Sequence, residues 1–311
     1  MACRNCGTTC QRFGKHRNGL RRFRCPNCKR TFTEPHKRTL DAMYVSQDKA
    51  ILALRLLLEG NSIRSTERIT DLDRNTIMKL LVLAGEKCEK LTGRLIRNVP
   101  VKDVQADEIW SFIGKKEKRR RPEDDPSLGD AYCFVAIERH SKLVLNFALG
   151  KRDQATTDVF VEGLRHATAS DNFQITTDGF APYRTAIPNT LDDRADFAQL
   201  IKVYRATPEG ERTYSPAEVV STEVVPVMGR PDPERICTSH VERQNLTMRM
   251  QMRRFTRLTN GFSKKFENHW AAVCLWFAYY NFCRIHSTIR VTPAMEAGIT
   301  DHVWELKELL A

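Results

Sequence analysis

Long apolar runs are missing from this chain. The longest, residues 270–280, is too short to cross a bilayer, and Met1-Ala2-Cys3-Arg4 opens without the apolar core of a secretory signal. The expectation is a soluble, intracellular protein, cytoplasmic and nucleoid-associated if nucleic acid is its partner. Acid is scarce in the first hundred residues, which hold 21 Lys and Arg against 9 Asp and Glu. Residues 101–311 hold 29 of each, so the whole net charge of +12 belongs to the first third. A basic terminal module of that kind meets nucleic acid or an anionic membrane. Residues 1–40 contain no basic amphipathic helix with an aromatic face, which disfavours the membrane. At 311 residues with 41% hydrophobic composition, the chain can bury one sizeable core beside smaller modules.

Cysteine is plentiful, with ten in the chain, and a reducing compartment makes metal ligation or burial the expected use rather than disulfides. Cys3-Arg4-Asn5-Cys6 and Cys25-Pro26-Asn27-Cys28 are two C-x2-C pairs separated by 18 residues. That spacing fits a tetrahedral Zn2+ site of four thiolates, Cys3, Cys6, Cys25 and Cys28, in a zinc ribbon over residues 1–40. Cys10 falls outside the spacing. Arg12, Lys15, Arg17, Arg21, Arg22 and Arg24, with Phe13 and Phe23 among them, lie between the pairs. Such a ribbon can staple the terminus or mediate dimerisation. Its basic residues, Arg21, Arg22 and Arg24 among them, favour contact with DNA phosphate.

Residues 41–98 read as three helices. An apolar stripe of Ile51, Leu54, Leu57 and Leu58 ends at Gly60, a short helix follows Asn61-Ser62, and Asp73 caps a third from Arg74 to about residue 91. The outline is that of a helix-turn-helix, whose last helix would present Arg74, Asn75, Thr76 and Lys79 to a major groove. A plain three-helix bundle packed on the next domain has the same outline.

From residue 99 onward the pattern becomes strand-rich. Strands are expected at 99–109, 131–138 and 142–149, then a helix from Asp153 to about His166. A strand at 173–177, a short helix at 181–187 and a strand at 197–204 follow. Three antiparallel strands, helix, strand, helix, strand is the order of a ribonuclease-H-like domain, here 99–311, of mixed α+β or α/β class. The loop Lys115-Lys116-Glu117-Lys118-Arg119-Arg120-Arg121 carries six positive charges and one negative. It reads as a solvated loop or as a DNA contact close to Asp107. Residues 205–235 are proline-rich and read as an insertion with a hairpin over 218–227.

Three acids stand where such a fold concentrates chemistry. Asp107 ends the first strand, and Asp178 ends the run Phe173-Gln174-Ile175-Thr176-Thr177. Glu242 is the only acid between Arg235 and Lys265, a segment with eight Lys and Arg. On a helix, Glu242, Asn245 and Arg249 share a face. Carboxylates brought together from two strands and a helix can hold Mg2+ or Mn2+, and paired ions serve both the attacking and leaving oxygens of a phosphoryl displacement. Glu209, Glu211, Glu218, Glu223 and Glu234 compete for the third place but fall in the insertion.

These motifs resemble a known family. Asp107-Glu108-Ile109-Trp110-Ser111-Phe112, Thr177-Asp178-Gly179-Phe180 with Tyr183, and Val241-Glu242-Arg243-Gln244-Asn245-Leu246 with Arg249 resemble bacterial DDE transposases of the insertion-sequence-one type. The tail, with Tyr279-Tyr280-Asn281-Phe282, Arg284-Ile285-His286 and Thr292-Pro293-Ala294-Met295, is similar to the ends of several transposase and integrase groups. The layout of ribbon, helix-turn-helix and catalytic domain matches as well. The resemblance implies DNA strand cleavage and strand transfer by Asp107, Asp178 and Glu242 with Mg2+. It makes Arg249 the basic residue beyond the Glu. The partners implied are double-stranded DNA, as element terminal inverted repeats and target, and a homo-oligomer that holds two ends together. His286, Asn281 and Arg284 are expected either to assist the site or to belong to a helix packed on the sheet through Trp270, Trp276, Phe277 and Tyr280. A DNA-binding regulator with an inert catalytic domain, and a nuclease that cuts without joining, share the same sequence features.

Overall fold

The basic run between the cysteine pairs folds as strands. In the computed structural model, β1 (Gln11–Lys15) pairs antiparallel with β2 (Arg21–Arg24), and β2 with β3 (Thr31–Thr33). The structure describes residues 1–311 apart from 17–18, 35–39, 41–42, 206–218 and 257–259. Arg17, and the acids Glu209, Glu211 and Glu218, therefore lie outside the described residues. The chain divides into two compact units, Met1–Tyr44 and Val45–Ala311. Among its described residues the first has a small core: Cys3, Cys10 and Cys25 are buried, with Phe23, Cys28 and Phe32 packed against them, and Leu40 is buried as well.

The second unit opens with α1 (Gln47–Leu58), α2 (Ile63–Thr70) and α3 (Arg74–Leu95). Each starts on the side chain that the sequence supplies as a cap: Ser46, Ser62 and Asp73 accept hydrogen bonds from the first-turn amides. Asp71, in the left-handed region at φ 54°, ends α2 and turns the chain into α3. These helices belong to the same compact unit as the sheet that follows, so no unit boundary falls near residue 98. The reason is packing. A Cβ on Gly85 would lie 2.4 Å from the Ala271 Cα, which brings α3 into backbone contact with a helix of the C-terminal third.

The sheet has six strands in the order β6-β5-β4-β7-β8-β9. β4 (Asp103–Ile113), β5 (Gly129–Glu138) and β6 (Val144–Gly150) are antiparallel neighbours. After α4 (Gln154–Ala167), β7 (Phe173–Thr177) runs parallel to β4. After α5 (Tyr183–Leu191), β8 (Ala195–Tyr204) runs parallel to β7. The element order is the expected one. The first strand is displaced, because full-length pairing with β5 carries β4 on through Trp110 to Ile113. The expected hairpin at 218–227 is instead one strand, β9 (Val219–Met228), antiparallel to β8. Val219, Val220, Val224, Val225 and Val227 favour extended backbone, and no turn pair interrupts them.

α4 and α5 cover one face of the sheet through Phe134, Phe160 and Tyr183. α6 (Ser239–Gln251) and α7 (Phe266–Phe282) cover the other, where Phe147 stacks on Phe277 at 4.6 Å between ring centroids. The short α8 (Pro293–Glu296) starts on a Thr292 cap. No helix among the described residues is long and apolar enough to cross a membrane.

Candidate active site

The site forms at the end of two parallel strands. Ala106 lies opposite Thr177 in the β4–β7 ladder, so Asp107 and Asp178 emerge side by side where β7 stops. Side chains alternate along β4. Asp107 therefore faces α6 and Glu108 faces α4 and α5. Because Asp178 stands at the strand end between them, oxygens of Asp107, Glu108 and Asp178 all come within 4.8 Å of one another.

The helix carrying Glu242 is positioned by β4. α6 has no side-chain cap of its own, and the Gln105 Oε1 accepts from the His240 and Val241 amides at 2.9 and 3.2 Å. Gln105 is fully buried and sits two residues before Asp107 on the same face. One turn further along α6, the Asn245 amide donates to Asp107 Oδ2 at 2.9 Å. Glu242 lines the same cavity as Asp107, Asp178 and Arg249, a space of about 590 Å³. Its carboxylate does not share the 4.8 Å cluster. It accepts instead from Thr238 Oγ1 at 2.6 Å and from Lys202 of β8.

Crowding of acids in a half-buried space raises their pKa values. Burial, then the neighbouring Asp178, pushes Asp107 up to about 6 and Glu108 up to about 7. Asp178 is raised too, mainly by burial. Glu108 Oε2 takes the Arg152 Nε at 3.1 Å, and the nearby Tyr183 hydroxyl opposes part of the rise that burial imposes on this carboxyl. Hard oxygen donors clustered within 4.8 Å of one another suit a divalent cation of the Mg2+ class.

Sequence reasoning brought Asp107, Asp178 and Glu242 to one cavity and placed Asn245 and Arg249 beside it. It passed over Glu108, Arg152, Lys202 and Thr238. The Asp107-Glu108 doublet was the available signal for the first; nothing in the local pattern marks the others. Of the competing acids, Glu223 and Glu234 are exposed and do not line the cavity. Asn281, Arg284 and His286 are not at the site. Asn281 bonds both the amide and the carbonyl of Val144, Arg284 pairs with Gln251, and His286 accepts from the Thr288 amide. Trp276, Phe277 and Tyr280 are buried, as the packing alternative requires.

The basic loop after β4 is partly neutralised within itself. Lys115 pairs with Asp124, and Glu117 with both Arg120 and Lys151. Lys116 lies over the rings of Trp110 and Phe112, beside Phe262, in a second cavity of about 440 Å³ that Lys118 and Arg119 also line. At the start of α3, Arg74, Asn75 and Lys79 are exposed and Thr76 is half-buried.

In the first unit, the sulfurs of Cys3, Cys6, Cys25 and Cys28 lie within 4.8 Å of one another, consistent with a zinc ribbon. The Cys3–Cys28 and Cys6–Cys25 separations are 3.5 Å. That is close to the edge, roughly 3.8 Å, of a tetrahedron with Zn–S bonds of about 2.3 Å. Hydrogen bonds from Thr8, first from its hydroxyl, hold the Cys6 thiol down to about 6. Cys10 is buried beside the four but directs its sulfur to the Thr8 carbonyl. Arg21 and Arg24 are exposed, Arg22 is half-buried, and the guanidinium groups of Arg22 and Arg24 both stack on Phe13.

No family model and no curated protein sequence matches the chain. Among solved structures it is similar to the piggyBac transposase synaptic complex with hairpin DNA, at 11% identity and a TM-score of 0.41, covering 89% of this chain and 71% of that one. It is also similar to the Mos1 strand transfer complex, at 14% identity and a TM-score of 0.22, covering 53% of this chain and 60% of that one. The Mos1 mariner paired end complex with Mn gives 13% identity, a TM-score of 0.22, and coverage of 53% and 61%. The chain thus spans about 60% of the length of the Mos1 proteins. At this level of similarity the function has to come from the site itself.

Proposed function

We propose that this chain is a DDE transposase with a ribonuclease-H-like catalytic domain, which cuts and joins DNA at the ends of its own element. The observation that carries the reading is the convergence of Asp107, Asp178 and Glu242 on one cavity from β4, the end of β7 and α6. Divalent ions of the Mg2+ or Mn2+ class, held by these acids, would supply Lewis-acid polarisation of a phosphodiester and of the attacking hydroxyl. The chain's own part is positional. Asn245 fixes the Asp107 carboxylate, Gln105 fixes the start of α6, and Phe180 N–H fixes Asp178 Oδ1 at 3.0 Å. Arg249 supplies positive charge beside the acids.

DNA would reach this site along basic and aromatic surfaces. Double-stranded element ends are read by a helix-turn-helix of α2 and α3 through Arg74, Asn75, Thr76 and Lys79. Arg21, Arg22 and Arg24 of a Zn2+-bound ribbon grip phosphate. The Trp110–Phe112 groove, with Lys116, Lys118 and Arg119, continues the face of β4 that carries Glu108 and would guide the strand away from the acids. Coordinated joining of two ends calls for a homo-oligomer on DNA. The insertion-sequence-one type is the family that the motifs around the three acids favour.

The test is strand transfer in vitro, with the gene's flanking DNA as substrate and Mg2+ present. Wild type should join ends to target, and Asp178→Ala and Glu242→Gln should each lose joining by at least roughly a hundredfold. Tight binding to the flanks with no cutting by wild type would replace this reading with that of a DNA-binding regulator.

A further inference from the structure

The acids of the cavity are matched by cations of the same chain. Arg152, just before α4, reaches Asp178 Oδ2 through its NH2 group at 3.4 Å while its Nε stays on Glu108. Its guanidinium lies 4.0 Å from the centroid of the Phe180 ring. Across the cavity, Lys202 at the end of β8 holds Glu242. Both cations line the same space as Asp107 and Asp178.

We propose that Arg152 and Lys202 form a phosphodiester-binding subsite. They rest on the carboxylates before divalent ions arrive and pass to the phosphate oxygens of a DNA strand once those ions are bound. The inference rests on the reading of this cavity as a site for phosphodiester chemistry.

Charge balance drives the exchange. Arg152 pairs with Glu108 and Asp178, and Lys202 with Glu242, so carboxylates of the site hold both cations. Divalent ions held by Asp107, Asp178 and Glu242 would weaken the hold of Asp178 on Arg152 and of Glu242 on Lys202, and leave those charges to meet new anions in a space of limited dielectric. The strand phosphates are the anions that the reaction itself delivers. Geometry makes the exchange short. Arg152 is anchored at Nε by Glu108, whose side chain is only 2% exposed, and its guanidinium lies over the Phe180 ring. Only the NH2 end has to leave Asp178, and a guanidinium held at one edge can offer the other to phosphate in a fork. Lys202 is a point charge on a flexible stem and needs only rotation about its own bonds to leave Glu242.

The experiment uses the full chain and two readouts that do not depend on turnover. Mn2+ binding without DNA is followed by electron paramagnetic resonance. Affinity for a short DNA duplex is measured with and without Ca2+, as a divalent probe of binding. Arg152→Ala and Lys202→Ala should bind Mn2+ more tightly than wild type, by roughly three- to tenfold, the scale of removing one partly screened competing charge. Both should lose the Ca2+-dependent gain in DNA affinity that wild type has, and Arg152→Lys should keep part of it. Arg152→Gln replaces Arg152→Ala if the latter does not melt cooperatively. Unchanged or weaker Mn2+ binding in both variants would overturn the subsite. So would tighter Mn2+ binding with the Ca2+-dependent gain intact, since the cations would then be counterions alone. A wild type that joins no DNA would remove the transposase reading and leave these titrations to decide the subsite.

Discussion

Gln105 is uncharged, yet the site depends on its amide. The side chain sits at the centre of the sheet, fully buried, and spends its oxygen on two α6 amides and its nitrogen on the Cys237 sulfur at 2.9 Å. Gln105→Leu would remove the acceptor from both amides and leave the buried Val241 one unbonded, at a cost of about 1–3 kcal/mol. The predicted outcome is a lower melting temperature together with a loss of joining larger than the loss of DNA binding, because Glu242 moves with α6. Asn245→Ala should act more narrowly, leaving the melting temperature nearly unchanged while joining falls roughly tenfold, the scale of one mispositioned group. At this scale the sequence pointed to Asp178 at a strand end and to Glu242 as a lone acid on a basic helix; Asp107 was marked as the end of the first strand, whereas β4 runs on past it to Ile113. Glu108 was not marked, since the alternation of β4 puts it on the opposite face from Asp107. Only the end of β7, a tertiary feature, lets Asp178 reach both. Arg152 and Lys202 acquire their place through contacts 26 and 40 residues away in the chain.

Among the elements, α7 organises the second unit. It meets α3 so closely at Gly85 that Gly85→Ala would put a methyl group into the Ala271 backbone and force the helices apart. A loss of about 1–3 kcal/mol in chemical denaturation is expected from such overpacking. α7 also buries His269, whose two ring nitrogens meet Ser111 and Ser263 at 3.0 and 2.9 Å. Burial first, and Arg254 second, hold this imidazole down to about 3. A histidine kept neutral in the fold but free to charge when unfolded adds stability above its ordinary value of 6.5, and that stability is lost as the pH falls from 6.5 towards 3. The melting temperature should therefore drop with acid through that window, and His269→Gln should flatten the drop. A slope that His269→Gln leaves unchanged would assign the acid sensitivity to other groups. The helices and most strands could be read from caps and alternation: Ser62, Asp73 and Asp153 cap where helix starts were expected, and Ser46 adds a cap to α1. β9 could not. Its polar and β-branched residues alternate weakly, and it is held by β8 rather than by a turn of its own.

For the molecule as a whole, the two units have different sources of stability. Among the described residues of the first unit, Cys3, Cys10, Cys25 and Leu40 are buried and Phe23, Cys28 and Phe32 partly so, an apolar surface small enough that a metal is expected to supply folding energy. Chelation of Zn2+ should abolish exchange protection of the β1–β3 amides, while the melting of residues 45–311 stays in place. Protection that survives chelation would contradict a zinc-held ribbon. The metal centre proposed for the second unit joins Asp107, Asp178 and Glu242, with Glu108 beside them. The most direct measurement is replacement of each acid in turn by cysteine, with strand transfer assayed in Mg2+ and in Mn2+. A thiolate ligand accepts Mn2+ better than Mg2+. Asp107→Cys, Asp178→Cys and Glu242→Cys should each be inactive in Mg2+ and regain joining in Mn2+. Rescue at Glu108 but not at Glu242 would contradict this arrangement and place the third ligand on β4.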